Sequence, residues 1–319
     1  MSNKEIYSKT LGFSLRRLLF DVLAFAGIGL LGLIGFIITE KAADEGMIGL
    51  LVGTLIGIVL AVFVLRYVSY AFKAGQIAMI TRLLTKGDAG ENVIDEGVRI
   101  VKERFLTVAA FYAATRIIKG IFNEIGRVII RVGRSVGGSK GDTVGSAISS
   151  IIQVIVSYLS DCCLGWVFFR SDESSAKATC EGAVIFFKHG KTLVKNLGRV
   201  FGMGLASFVV IGGLLTGIFY GIANLFPNLF ATLAAEIAES GEDVSSFIAT
   251  THGIMLVAAI IAAVILWNIL HAVFVRPLVL TGVLRNYLES GIHDTPDENS
   301  FGLLDDTSRK FAKLHGQLA

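Results

Sequence analysis

Polar residues interrupt one apolar stretch of the sequence in a regular pattern. Ser149, Gln153, Ser157 and Asp161 recur at helical spacing on one side of that stretch. Asp161 lies eight residues before Phe169, about 12 Å inside the end of a predicted span, where a carboxylate must be protonated, paired or hydrated. Polar groups cannot face lipid without a hydrogen-bonding partner. The stripe therefore predicts either hydrogen bonding between helices or the lining of a solute or ion pathway.

Four more polar residues lie within apolar stretches. Asn268 and His271 are three residues apart, so they share one face of a helix. Asp21 follows Arg17 by one helical turn and can pair with it, and Arg116 interrupts another apolar run. Ionisable side chains at membrane depth are rare and often functional, although a lone histidine there is more often structural. These four residues join the stripe as candidate pathway residues.

No motif of an enzyme class is present. The sequence has no Walker A, HExxH or GxSxG pattern, and its paired acids, Asp305 and Asp306, lie in a polar tail. Cys162, Cys163 and Cys180 show no CxxC or CxxH spacing, so we expect no zinc site and no disulfide framework. We therefore expect a protein that is not an enzyme and uses neither a cofactor nor a metal.

The composition indicates a polytopic membrane protein. Hydrophobic residues make up 53% of the 319 residues and charged residues 17%, whereas a soluble chain carries about 25% charge. The 36 glycines and 3 prolines suit transmembrane helices, in which glycine lets backbones approach closely. The values exclude a disordered chain, a secreted disulfide scaffold and a DNA-binding domain. We expect the lipid bilayer as the main partner and no nucleic acid.

Six apolar stretches approach the roughly 20 residues that cross a bilayer. They are 18–38, 47–64, 105–130, 144–169, 200–226 and 253–275. The third carries Arg116, Lys119 and Glu124, so it either spans or bends into the interface. We predict an all-α bundle of about six transmembrane helices over 18–288, between a head (1–17) and a tail (289–319).

The positions of lysine and arginine predict the orientation. Both residues are frequent in 1–17, 66–104 and 170–199, whereas 227–252 has acids and no lysine or arginine. Six spans with both termini in the cytoplasm, in a plasma or inner membrane, fit these segments. The basic connection between the third and fourth spans does not fit, because this order places it outside.

An internal repeat of three hairpins would require the third stretch to span. Two copies share a tripeptide, an arginine at the same interval and a later Glu-Gly pair, and a fainter third copy runs from His271 to Arg285. Chance matching within apolar sequence is the alternative. Internal repeats are common in transporter folds. The two clearer copies are Val68-Ser69-Tyr70 with Arg82 and Glu96-Gly97, and Val156-Ser157-Tyr158 with Arg170 and Glu181-Gly182.

Two segments that follow apolar stretches have the periodicity of amphipathic helices. Residues 93–105 and 180–197 place apolar side chains on one side, and lysines follow the other side of the second. Such a helix lies in the headgroup layer, where it can contact anionic lipids, or packs on the bundle as a cytoplasmic helix. The tail, 301–318, also has an apolar face, which could dock on the protein or bind a partner.

Glycines recur every fourth residue on two predicted spans. Gly53 and Gly57 do so on the second span, and Gly213, Gly217 and Gly221 on the fifth. Glycine at this spacing forms a flat stripe where another helix can approach, and a hinge is the alternative. We expect helix packing, within the chain, in a homo-oligomer or with other membrane subunits.

The second half of the chain carries a further pattern. Cys180, the pair Phe186-Phe187 and the run 194–200, which contains Asn-Leu-Gly-Arg-Val, precede a glycine-rich span, and 279–286 leaves the last span. This order resembles the late part of the choline transporter-like family. The chain lacks that family's large early extracellular domain and characteristic cysteines. The resemblance implies a transport architecture, without binding residues and without a claim for choline.

Two classes of function follow from these patterns. A solute transporter or channel-like subunit is supported by the polar stripe, the repeat and the resemblance. A non-catalytic membrane scaffold or accessory subunit is supported by the amphipathic segments, the glycine stripes and the lack of a dense binding cluster. A membrane cavity around Gln153, Ser157 and Asp161 would favour the first class. Burial of these residues against a neighbouring helix would favour the second.

Overall fold

The chain is helical throughout the part that the structure describes. A computed structural model describes residues 1–105, 110, 113–124, 127, 142–239, 250–294 and 296–318. No strand occurs within these ranges, so the all-α prediction is confirmed for them. The chain forms two compact units, one of Met1–Leu197 with Pro277–Ala319 and one of Gly198–Arg276.

Two long helices open the first unit. They are α1 (Asn3–Ala43) and α2 (Gly46–Lys86). Ser2 begins α1 with a capping box that it shares with Glu5, and this box satisfies amide groups that a helix start leaves unpaired. Asp44 adopts the left-handed conformation that commonly ends a helix. The chain then turns at once into α2, which makes the two helices an antiparallel hairpin.

The remaining helices are shorter or interrupted. They are α3 (Val93–Arg104), α4 (residues 113–124), α5 (Asp142–Phe169), α6 (Ser175–Ser207), α7 (Gly213–Ala223), α8 (Pro227–Glu239), α9 (Thr251–Leu270), α10 (Arg276–His293), α11 (Glu298–Asp305) and α12 (Arg309–His315). Two π-helical segments, Phe208–Gly212 and His271–Val275, join α6 to α7 and α9 to α10.

Glycine brings the apolar halves of α1 and α2 into backbone contact. A side chain at Gly53 would overlap the carbonyl of Leu31, and one at Gly57 would lie 2.9 Å from the Cα of Ile28. Gly35 and Gly49 approach each other in the same way. The close packing increases van der Waals contact between the two helices and is typical of helices that associate in lipid.

The other halves of α1 and α2 enter the core of the first unit. The Gln76 amide donates to the Thr10 carbonyl at 3.3 Å and to the Ser14 hydroxyl at 3.1 Å. Phe13 is buried beneath Gly75 and Gly97, where any larger residue would meet its ring. Helix α3 therefore packs on the α1–α2 pair, which is the bundle alternative for 93–105 and differs from placement in the headgroup layer.

The end of α5 and the start of α6 form the most deeply buried part of the first unit. Cys163, Trp166 and Val167 on α5 and Ala183 and Val184 on α6 are at most 1% exposed. Phe187 of the predicted amphipathic segment is 41% exposed, whereas the apolar side chains from Cys180 to Phe186 contact protein. Since these side chains avoid water inside the unit, their burial stabilises the fold and does not require lipid.

The tail docks on the protein. Leu304 and Phe311 are fully buried, and the Ser308 hydroxyl donates to Glu124 Oε2 of α4 at 2.6 Å. The Lys310 amide donates to the same carboxylate oxygen at 3.1 Å. The apolar face of the tail is therefore occupied by contacts within the chain.

The second unit is a hairpin of apolar helices. Helix α7 packs against α9, and α8 also contacts α9. The rings of Phe208 and Trp267 meet edge to face with centroids 4.9 Å apart, next to the two π-helical segments. Leu214 and Ile218 are 66% and 49% exposed, as expected for side chains that would face lipid.

Four described helices are long and apolar enough to cross a membrane. They are Asn3–Ala43, Gly46–Leu65, Gly204–Ala223 and Thr251–His293, and Gln153–Phe169 is a shorter apolar helix. The count of six spans is not confirmed. Much of 105–130 lies outside the described residues, and within α4 Ile118 and Ile121 are buried in the unit. The later half of 144–169 is likewise a core helix.

Candidate functional site

Asp161 forms an ion pair with a residue of α2. Its Oδ1 lies 2.6 Å from Lys73 Nζ, and the two side chains are 6% and 24% exposed. Lys73 comes eight residues after Leu65, where the apolar stretch of α2 ends, so the pair lies about 12 Å beyond that end along the helix. The pair meets the expected need of this carboxylate for a partner, whereas the position of Asp161 within a span stays a prediction.

The rest of the stripe on α5 changes from exposed to buried along the helix. Gln153 is exposed and Ser157 is half-buried. Ser160 is buried and donates to the carbonyl of Val156, one turn back in its own helix, at 2.7 Å. Ser149 belongs to α5, but its side chain lies outside the described residues. The buried end of the stripe is thus satisfied by contacts within the protein.

Asn268 and His271 belong to the apolar hairpin of the second unit. Asn268 donates to the carbonyl of Val264 in its own helix at 2.8 Å. His271 begins a π-helical segment, and its ring lies 5.1 Å from that of Trp267. Single π-helical turns often occur at functional sites, but the contacts of this pair are those of helix packing.

Asp21 and Arg116 lie on different elements of the first unit. Asp21 is half-buried on α1, four residues after Arg17. Arg116 is exposed on α4, whose opposite side buries Ile118 and Ile121. An amphipathic helix packed on a core places an arginine in this way, so the position of Arg116 requires no pathway.

The two glycine stripes differ in their surroundings. Gly53 and Gly57 contact α1, as described above. A Cβ added at Gly213, Gly217 or Gly221 would meet no described atom within 4 Å. The stripe on α7 is therefore open within the described part of the chain.

Lys73 was missed as a functional candidate, although the sequence contains a signal for it. It is the one charged residue between Arg66 and Arg82. It precedes Arg82 by nine residues, as Asp161 precedes Arg170. Aligning the two proposed repeats places the opposite charges at equivalent positions.

An arginine at the end of α2 and another after α5 each contact a glutamate of the following helix. Arg82 Nη1 contacts Glu96 of α3, and Arg170 Nε lies 3.4 Å from Glu181 of α6. Hydrogen bonds from Arg99 and the charge of Arg82 lower the pKa of Glu96, so this carboxylate stays ionised at neutral pH. Each pair fixes the turn between two consecutive helices.

The glycine after each glutamate packs on the preceding helix. A Cβ at Gly97 would lie 2.8 Å from the Gly75 carbonyl, and one at Gly182 would lie 2.8 Å from Cys163 Sγ. Gly75 and Cys163 each precede their arginine by seven residues. The two helix pairs therefore share this local register.

The described residues contain no group of three His, Cys, Asp or Glu side chains that could hold a metal ion. The three cysteines are free and buried. Burial raises the pKa of Cys180 to about 12, so it is a neutral thiol at physiological pH and a poor nucleophile. The cysteines contribute to packing.

Comparison with known proteins leaves the chain without an assigned family. No protein-family model, no curated protein and no solved structure matches it. The resemblance to the choline transporter-like family therefore stays an expectation, and the function has to be argued from the chain itself.

Proposed function

We propose that this protein is a non-catalytic membrane scaffold or accessory subunit. Two apolar hairpins would anchor it, and the first unit would carry a packed helical region at one membrane surface. The ion pair between Lys73 and Asp161 carries the proposal. The carboxylate that was the best candidate for a pathway is buried against a neighbouring helix, which is the outcome that favours a scaffold.

A contact between the two ends of the chain supports this topology. Arg285 Nη2 donates to the carbonyl of Met1 at 2.6 Å. Both ends of the first unit would then lie on one side of the membrane, as an even number of spans requires. Because lysine and arginine are frequent in 1–17 and 66–104, we propose that this side is the cytoplasmic side of a plasma or inner membrane.

The stripe of Gly213, Gly217 and Gly221 supports a role in assembly. It lies on an apolar helix and is open within the described part of the chain. Glycine at this spacing lets a second helix pack closely. The partner would be an apolar helix from another copy of the chain or from another membrane subunit.

Solute transport is the second candidate. Gln153 is exposed and Lys73 is 24% exposed, so water could reach the ion pair from one end. The matching positions of Lys73 and Asp161 also favour an internal repeat of three hairpins, which transporter folds often contain. Transport would require that 105–130 and 144–169 also span, and that a solute has a route to the opposite side of the membrane.

Flux measurements distinguish the two functions. Purified protein in sealed vesicles would be tested for dissipation of a proton gradient and for uptake of choline, amino acids and sugars. Asp161→Asn is the test variant, and Lys102→Ala, an exposed change on α3, is the control. A scaffold gives the leak rate of protein-free vesicles in every case. Flux through the wild type that Asp161→Asn alone alters would contradict the proposal.

A further inference from the structure

A cavity of about 400 Å³ opens between the ends of α2 and α5 and one side of α3. Arg82, Lys86 and Arg99 contribute its cationic lining, Thr81 and Thr85 its hydroxyl groups, and Phe168 and Phe169 its aromatic wall. Glu103 is the acidic residue of this lining and pairs with Arg99. The volume falls within the range of small-molecule sites.

The two arginines are fixed in position and retain hydrogen-bond donors. Arg82 donates to Asp88 and Glu96, and Arg99 donates to Glu96 and Glu103. Each guanidinium uses three of its five N–H donors in these contacts, which leaves two. A fixed fork of donors loses little entropy when it binds an oxyanion, and it suits phosphate geometry.

Lys86 is the cation of the lining that makes no ion pair within the described residues, and it is exposed at the cavity. The two arginines pair with three carboxylates, Asp88, Glu96 and Glu103. Asp88 and Glu103 are 66% and 59% exposed, so water screens much of their charge. The cavity therefore offers an unpaired ammonium group beside two oriented guanidinium groups.

Thr81 lies in the wall of the cavity, but its hydroxyl is buried against α5. The residue is 2% exposed, and its Oγ1 would lie 3.1 Å from a Cβ at Gly165. Thr85, one turn later, donates to the carbonyl of Thr81 at 2.9 Å. The groups that a ligand can reach are therefore the cationic side chains and the aromatic wall.

The position along α2 separates the cavity from the lipid headgroups. Lys86 lies 21 residues beyond Leu65, the end of the apolar stretch, which corresponds to about 32 Å along the helix axis. The headgroup layer adds only about 5–8 Å to each side of the hydrocarbon. The ligand should therefore come from solution.

We propose that this cavity binds a soluble organic phosphate monoester. Its phosphate would accept hydrogen bonds from Arg82, Arg99 and Lys86. A flat apolar group of the ligand would lie against Phe169, which is partly exposed beside the cavity. Aromatic side chains favour such offset contacts with flat groups.

Calorimetric titration of the full chain in phosphatidylcholine nanodiscs tests the assignment. Phenyl phosphate is the probe, and inorganic phosphate and phenol each represent half of its chemistry. Saturable binding of phenyl phosphate at millimolar concentrations, stronger than that of either half, is the expected result. Absence of saturable binding in this range would overturn the proposal, as would binding of phenol as tight as that of phenyl phosphate.

Two variants connect any binding to the cavity. Lys86→Ala removes an exposed cation without an ion pair and should weaken phenyl phosphate about tenfold, the effect of one charge-assisted hydrogen bond. Lys102→Ala, which removes an exposed lysine outside the cavity lining, is the control and should leave the affinity unchanged. Equal losses in Lys86→Ala and Lys102→Ala would refute the site.

The source of the phosphate is tested in the same nanodiscs. Replacing part of the phosphatidylcholine with anionic phosphatidylglycerol should leave phenyl phosphate binding in place, because the cavity lies beyond the headgroups. Loss of phenyl phosphate binding in the anionic nanodiscs would show that a lipid headgroup occupies the cavity. That result would overturn the proposal of a soluble ligand.

Discussion

Single residues determine whether α5 is a pathway helix or a core helix. Asp161 stands out in the sequence because it is a carboxylate in an apolar stretch, and its need for a partner follows from desolvation. Its partner, Lys73, could not be chosen from the sequence, because basic residues that follow a span also serve as orientation signals. The pairing follows from the structure, in which α2 and α5 lie close together. In the sequence, only a comparison of the two proposed repeats indicates it.

A double-mutant cycle on this ion pair is the prediction at the scale of residues. Asp161→Leu and Lys73→Met should each lower the free energy of unfolding by about 2 kcal/mol, because each removes one charge of the pair and leaves the other partly buried. Combining Lys73→Met with Asp161→Leu should recover most of that loss. Chemical unfolding in detergent provides the measurement. Additive losses in the double variant would show that the two charges do not interact.

The surroundings of each helix explain which of the predicted spans could be read from the sequence. The stretches 18–38, 47–64, 200–226 and 253–275 coincide with the four helices that can span. Whether 144–169 spans stays a prediction, because a helix enclosed by protein needs the same apolar residues as one enclosed by lipid, and Cys163, Trp166 and Val167 are buried in the unit. Hydropathy measures the residues and carries no information about what surrounds them.

The contact between α3 and α2 is tested by a glycine substitution. Gly97→Ala would place a Cβ 2.8 Å from the Gly75 carbonyl and 2.6 Å from the Phe13 ring. Because the backbone cannot yield as a side chain can, we expect a loss of about 1–3 kcal/mol in unfolding free energy. The matched control is Gly302→Ala on α11, where no described atom lies within 4 Å. This control should be neutral or stabilising, and an equal loss in both variants would contradict the packing.

The docked tail should respond to acid through Glu124. Burial raises the pKa of Glu124, but hydrogen bonds from Ser308 and the Lys310 amide, with the charges of Lys310 and Arg127, outweigh it and hold the pKa below its ordinary value of 4.5. A carboxylate with a depressed pKa stabilises the fold above its unfolded pKa and loses that contribution as pH falls through the folded value.

Melting temperatures of the wild type and Glu124→Gln, measured across pH, test this linkage. The wild type should be the more stable of the two at neutral pH. Their difference should shrink below about pH 4.5, where the carboxylate protonates even in the unfolded chain. Ser308→Ala, which removes the donor at 2.6 Å, should lower the free energy of unfolding by about 1 kcal/mol at neutral pH. A difference independent of pH would show that Glu124 does not hold the tail.

At the scale of the whole molecule, two apolar hairpins accompany a packed helical region. The overall composition predicts the membrane association, and the turn at Asp44 joins the two helices of the first hairpin. The number of spans could not be obtained in the same way, because 105–130 and 144–169 combine apolar residues with charges and glycines. The central claim is that α5 belongs to the helical region on the side that carries both ends of the chain.

Substituted-cysteine labelling of α5 from each side of a sealed membrane tests that claim most directly. The native cysteines are buried, so the folded wild type provides the unlabelled background. Asp44→Cys, in the turn of the first hairpin, and Gly302→Cys, in the docked tail, mark the two sides. The account predicts that Gln153→Cys, at an exposed position, reacts with a membrane-impermeant maleimide only from the side of Gly302→Cys. Reaction from the side of Asp44→Cys, or from both sides, would place α5 in a transmembrane path and contradict the scaffold.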